Sequence, residues 1–165
     1  MDVEVKFIVD ANAGKIARWL RMMGYDALFF SEPDDGQMVK IALAQGRTVI
    51  TRDTGFMQRR AVTSGRVQAL LLKDSEPLKQ MRDVIRILHL SNEYKPFTRC
   101  LECNTELHYT EKTGIAQMVP PRVFEKQEQY MACPLCGRIY WRGTHWQAMK
   151  KKLYDFSRPP ENPGE

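Results

Sequence analysis

No stretch of the 165 residues stays apolar for the length that a bilayer-crossing helix needs. The start also lacks the apolar centre and small-residue cleavage site of a signal peptide. These absences argue against a membrane span and against secretion, so the expected location is the cytoplasm. Histidine is scarce. His89 and His108 sit in no motif, and His145 has three readings: a spare metal ligand, a base, or a packed residue with its ring nitrogen satisfied, the last being preferred. Cysteine is scarce too, four residues in all, and every one falls in a Cys-x-x-Cys pair. In a reducing compartment such pairs are metal ligands rather than disulfides. A charge block of one sign is also missing. The 25 basic and 20 acidic residues leave a net charge of +5 and a pI near 9.1. Divided after Lys95 they split 15 to 12 and 10 to 8, so neither half is a basic tail. The surplus suits a polyanionic partner, and it also suits plain solubility.

What is present is an alternation of two periods. Val5 to Val9 reads as a strand, and "AGKIARWLRMMG" puts Ile16, Leu20 and Met23 on one helical face with Gly24 as a stop. "ALFF" is a second strand, a helix runs from Asp35 to Gly46, and "TVIT" is a third strand. A helix around Phe56 to Val62 leads to the strand "VQALLL", and Leu78, Met81, Ile85 and Leu88 make the buried stripe of a further helix. Alternation of this kind predicts an α/β fold, a parallel sheet with helices packed on its faces.

Acidic residues recur where these strands end. Asp10 follows the first strand, Asp35 opens the helix after the second, Asp53 sits just past the third, and Asp74 follows the fourth. Asp26 enters a strand and belongs at the opposite rim. Each strand-end acid has a plain reading as a helix cap. Together they pose a problem that capping does not solve, because like charges at one sheet edge repel unless a cation joins them. Mg²⁺ or Mn²⁺, held by a few carboxylates and the phosphate of a substrate, answers that need and points to phosphodiester hydrolysis. Two other α/β families use strand-end aspartates. Haloacid dehalogenase-type phosphatases need a second Asp two residues after the first, where this chain has Asn12. Receiver domains expect an acidic pair at the end of the first strand, where Asp10 stands alone.

Basic residues near the acids are candidate phosphate contacts. Lys15 and Arg18 lie on the helix after Asp10, and Arg52 adjoins Asp53. Arg21, on the same helical spacing, reads as part of an ordinary solvated face. Thr51 either orients Asp53 through its hydroxyl or satisfies local backbone, and Asn12 either supports the loop after Asp10 or simply forms a turn.

Pro96 and the loss of helical periodicity mark a boundary. Beyond it, Cys100, Cys103, Cys133 and Cys136 form two knuckles, the ligand set of a closed tetrahedral Zn²⁺ site whose role is structural. Asn104 and Gly137 follow the pairs at equivalent positions, and both residue types accept the positive φ that turns amides toward sulfur. "GIAQMV", between the pairs, is read as a hairpin. "RIYWRGTHW" mixes Arg138, Tyr140, Trp141, Arg142, His145 and Trp146, either to stack on bases or to cover the metal, the latter favoured for Tyr140 and Trp141. Lys150, Lys151 and Lys152 read as a solvated helix end.

"FIVDANAGKIARWLRMMGYDA", "DGQMVKIA" and "RTVITRDTGFMQRR" resemble the PIN-like ribonucleases. With "CGRIYWRGTH" added, the chain from about residue 5 to 150 resembles the Mut-seven carboxy-terminal ribonuclease family. The resemblance implies a PIN-like nuclease domain over 1–95, a zinc ribbon over 96–150 and a flexible tail over 151–165. It also implies Asp10, Asp35 and Asp53 as the catalytic and Mg²⁺- or Mn²⁺-binding acids, with Asp74 the positional candidate for a fourth. Lys15, Arg18 and Arg52 would then hold the backbone of RNA, expected to be single-stranded. The rival from another class is a noncatalytic RNA-binding adaptor that keeps the fold.

Overall fold

The computed structural model describes residues 4–91 and 94–158. Strand β1 (Lys6–Asp10) carries Phe7, Ile8 and Val9 fully buried, as a central strand covered on both faces requires. A 3-10 turn over Ala11–Ala13 leads into α1 (Gly14–Met22), whose inner face buries Ile16, Ala17 and Leu20. The chain then reverses at Gly24, φ 94°, where an added Cβ would collide with the Lys95 carbonyl. Strand β2 (Asp26–Phe30), helix α2 (Asp35–Gln45) and strand β3 (Arg47–Thr51) follow. The helix expected around Phe56 to Val62 is two short ones, α3 (Thr54–Met57) and α4 (Arg60–Thr63), parted by the extended backbone of Arg59. Strand β4 (Ala69–Leu71) and helix α5 (Pro77–Ile87) complete this half.

The four strands are all parallel, in the order β2-β1-β3-β4. Chain direction across the sheet therefore reverses between β1 and β3, since the connection after β1 leads to one edge and the connection after β3 to the other. Register pairs Lys6 with Asp26 and Asp10 with Phe30, which puts Asp26 and Asp10 at opposite rims. Helices α1 and α5 cover one face, where Phe7, Val9, Ile16, Leu20, Met81 and Val84 share a core. Helices α2, α3 and α4 cover the other through Met38, Ala42 and Phe56 against Ile8 and Val49. Each large apolar side chain buried here contributes about 1.5–3 kcal/mol.

The second half is a small antiparallel sheet, β5 (His108–Thr110), β6 (Tyr130–Ala132) and β7 (Ile139–Tyr140), followed by the long helix α7 (Thr144–Ser157). Between β5 and β6 the chain forms a 3-10 turn at Lys112–Gly114 and helix α6 (Pro121–Lys126). "GIAQMV" is thus not a hairpin: Ile115 and Val119 fold inward onto the fully buried Tyr130 instead of pairing across strands. Nor does a free tail begin at 151. Helix α7 continues to Ser157 because Leu153 and Phe156, three residues apart, are buried in the core of α1 and α5, with Phe156 5.2 Å from the Trp19 ring. The rest of the expected tail, 159–165, lies outside the described residues.

Arg21 corrects its reading as a solvated residue. It is 8% exposed, and its guanidinium donates to the Ala27 carbonyl (2.9 Å) and to the Leu101 and Glu102 carbonyls (2.9 and 3.3 Å). Burial lowers its pKa, and the nearby Cys100 and Glu102 oppose that effect most strongly. Asn104 completes the joint. Its amide accepts from Ala27 N–H (2.9 Å) and donates to Asp26 (2.7 Å), which is also paired with Arg47 at 2.7 Å. Burial pushes the Asp26 carboxyl up, but bonds from Arg47 and Asn104 outweigh it and hold the pKa below its ordinary value. Its contribution is therefore full at neutral pH and is lost as pH falls through that depressed value. Replacing Arg21 by Met should cost about 3 kcal/mol, because three carbonyls lose a charged donor inside the joint. Denaturant unfolding of the purified variant checks this. A loss under about 0.5 kcal/mol, the level of an indifferent surface change, would show that the joint contributes little.

Candidate active site and metal centre

At the carboxyl ends of the strands, Thr51 is the meeting point. Its buried hydroxyl donates to Asp10 Oδ2 at 2.8 Å and accepts from the Asp53 amide at 3.0 Å. The other Asp10 oxygen accepts from Ala11 N–H at 2.7 Å, so both its oxygens are oriented. Asp53 caps α3 through Gly55 N–H at 2.8 Å, using Oδ1. Asn12 Oδ1 takes the Arg52 amide at 3.4 Å and ties the loop after β1 to the loop after β3. These loops leave the sheet where strand order reverses, the usual place for a ligand in an open α/β sheet.

Asp35 is not the cap of its helix. Asp34 fills that role by accepting from Gln37 N–H at 2.9 Å, and Asp35 instead faces Arg59, with Nε 3.7 Å from its Oδ2. Asp74 accepts from Glu76 N–H at 2.8 Å in a local turn after β4, the outermost strand. Lys15 and Arg52 are exposed beside the acids. Arg18 is one turn farther along α1 and forms a 2.6 Å ion pair with Glu102 of the first cysteine knuckle. Among the described residues, no three acids form a group able to hold a metal; the four cysteines do.

All four sulfurs of Cys100, Cys103, Cys133 and Cys136 lie within 4.8 Å of one another, and Cys100 and Cys136 are 3.9 Å apart. A tetrahedral Zn²⁺ with bonds near 2.3 Å would space its sulfurs by about 3.8 Å, so the set fits. The knuckles repeat one geometry. Cys103 N–H points at Cys100 Sγ (3.4 Å) and Cys136 N–H at Cys133 Sγ (3.5 Å), with Asn104 at φ 64° and Gly137 at φ 77°. Tyr140 covers the site, its hydroxyl 3.1 Å from Cys100 Sγ and accepting from Leu101 N–H. Burial raises the Cys100 pKa, but the Tyr140 and backbone hydrogen bonds outweigh it and bring the thiol down to about 7, toward the thiolate a metal needs. Trp141 packs toward Tyr130, while His145 is exposed rather than packed.

The family model described as Mut7-C RNAse domain matches residues 5–153. The chain belongs to that family. The match spans both the parallel sheet and the cysteine centre, so the Mut7-C RNAse unit includes the two together. Searches of curated proteins and of solved structures found no match. Among the described residues no helix is long and apolar enough to cross a membrane. The Mut7-C chain thus ties the Asp10 carboxylate to the Asp53 backbone amide through one hydroxyl, pairs Asp35 with Arg59, and pairs Arg18 with Glu102 of the first knuckle. Arg59 and Glu102 were not anticipated as site residues. Arg59 falls inside "RTVITRDTGFMQRR" and Glu102 inside the first knuckle, but their partners Asp35 and Arg18 are set by packing rather than by spacing.

Proposed function

We propose that the chain is a metal-dependent ribonuclease of PIN-like fold, its nuclease part over 1–95 fused to a structural zinc ribbon over 96–150. Single-stranded RNA in the cytoplasm is its substrate. The observation that supports this reading is the Thr51 hydroxyl, which joins the Asp10 carboxylate to the backbone amide of Asp53 where the strand order reverses. Asp10 and Asp53 do cap the turns that follow them, but capping does not account for Asp35, since Asp34 already caps α2.

Asp10, Asp35 and Asp53 would hold Mg²⁺ or Mn²⁺, which when bound activates water and offsets charge on the scissile phosphate. Thr51 and Ala11 fix the rotamer of Asp10 in advance, and Gly55 leaves Oδ2 of Asp53 available. Arg59, 3.7 Å from Asp35, would shield its charge. Lys15 and Arg52, both exposed, would hold the phosphate backbone of the substrate. Cys100, Cys103, Cys133 and Cys136 leave zinc no open position, so the ribbon serves RNA binding and not the chemistry.

The competing noncatalytic adaptor draws on one observation: among the described residues the cysteines form a metal-ligand group and the acids do not. Incubation of the purified chain with labelled single-stranded RNA separates the two. Cleavage is expected with Mn²⁺, lost on mild chelation and restored by Mn²⁺ alone, with zinc retained throughout because thiolates hold it far more tightly. RNA that is bound but never cut would leave the adaptor standing.

A further inference from the structure

A groove of about 800 Å³ lies between α1, α6 and the stretch from β7 into α7. Four cations line it, Arg18, Arg122, Lys126 and Arg138, against the single acid Glu102. Aromatic surface comes from Tyr140, Trp141 and Trp146. We propose that this groove binds single-stranded RNA and feeds it along α1 to the acidic edge, so that the substrate is recognised in two separate parts. The proposal rests on the ribonuclease reading and gives it a substrate length.

Charge and shape favour this occupant. Arg122 and Lys126 sit four residues apart, on one face of α6, while Val123 and Phe124 pack into the ribbon. Both are exposed, and neither forms an ion pair among the described residues, so their charge faces the groove uncompensated. Trp146 is braced by Arg142 and Lys150, 5.4 and 5.2 Å from its ring. Cations beside aromatic surface suit splayed single-stranded bases and their phosphates, whereas a duplex hides its bases.

The route to the acids is also on the molecule. Arg18 lines the groove, and Lys15 lies one turn nearer the start of α1, about 4.5 Å of helix rise away. Lys15 is in the first turn after the loop that Asp10 begins. Glu102 acts as a brake on this path, because its 2.6 Å ion pair occupies the Arg18 guanidinium that a phosphate would take.

The test uses the zinc-loaded full chain and a fluorescein-labelled RNA of about 12 nucleotides, a length in the range such surfaces cover. Anisotropy is read without Mn²⁺ across a salt series. Arg122→Ala with Lys126→Ala should weaken binding at least about tenfold and flatten the salt slope by about 1.4. Glu102→Gln should tighten binding several-fold, and Lys79→Ala, on α5 beside Glu76, should change nothing. With Mn²⁺ added, the double variant should slow cleavage of the long RNA and spare one of about four nucleotides. Unchanged affinity and slope in the double variant overturn the proposal, as does equal slowing of both lengths. Displacement of the RNA by an acidic peptide at lower concentration than by unlabelled RNA also overturns it. If binding depends on the groove but the wild type never cuts, the groove stands and the ribonuclease reading falls. If the wild type cuts and the variants bind and cut like it, the ribonuclease reading stands and the groove falls.

Discussion

Asp53→Asn should reduce RNA cleavage at least about a hundredfold while leaving the thermal midpoint nearly unchanged. Asparagine caps helices as well as aspartate does, and its side-chain oxygen can keep the bond from Gly55 N–H, so the fold loses nothing it uses. What disappears is the negative charge that a hard cation needs. Asp10→Asn should be equally inactive but less stable by about 1 kcal/mol. Both Asp10 oxygens accept hydrogen bonds, from Ala11 N–H and from the Thr51 hydroxyl, and an amide can present an acceptor to only one of them. The Thr51 hydroxyl can take the new amide on its second lone pair, but its own hydrogen then loses the Asp10 oxygen that accepted it. Single-turnover cleavage and melting curves on both variants check the pair. Full activity in the Asp10→Asn, Asp53→Asn double variant would remove the ribonuclease assignment. Unfolding of Asp53→Asn would assign that carboxylate to structure instead.

The second large effect concerns Cys133→Ser. Structural zinc contributes on the order of ten kcal/mol to a small unit of this kind. Losing even half of that should lower the melting temperature by roughly 10–20 °C. The damage should not stay in the ribbon. Asn104, the residue that closes the first knuckle, is bonded to Ala27 and Asp26 on β2, and Arg21 links the same knuckle to α1. The expected result is zinc content falling in elemental analysis, proteolysis between β5 and β7, and hydrogen exchange rising at the start of β2. Cleavage of a short RNA should persist, slowly, because the acids lie at the other rim of the sheet. Wild-type protein that contains no zinc would discard the ribbon. Cleavage supported by Zn²⁺ with Asp10 and Asp53 replaced would show that the chemistry belongs to the other metal.

The parts of the fold legible in the sequence are those with a local cause. Buried runs and a three-four apolar stripe place β1 to β4 and α1, α2 and α5 within a residue or two. Positive φ at Asn104 and Gly137 follows from the repeated knuckle, and Asp26 at the far rim follows from its place before a strand. What escaped depends on partners distant in the chain. Strand order decides that Asp10 and Asp53, rather than Asp74, flank the point of reversal, and no periodicity encodes strand order. Arg21 has the spacing of a surface cation, yet it is buried because the knuckle folds over it and supplies carbonyls. Asp34 and Asp35 compete for one cap, and only the non-helical backbone of Asp34 (φ −127°, ψ 87°) decides between them. Helix α7 outlasts its lysines because Leu153 and Phe156 find a core built by residues near the other end of the chain.

That last packing sets an order of events during synthesis. Leu153 and Phe156 close the apolar face formed by Phe7, Leu20, Met81 and Val84, so the face stays open after α5 has left the ribosome. Translation from residue 95 to Ser157, at the usual 5–20 residues per second, takes roughly 3 to 12 seconds. Throughout that interval the nascent chain carries α1 and α5 on the sheet with part of their apolar surface uncovered, and thiols still waiting for metal. Until Leu153 and Phe156 emerge, that surface gives chaperones a defined apolar patch to hold.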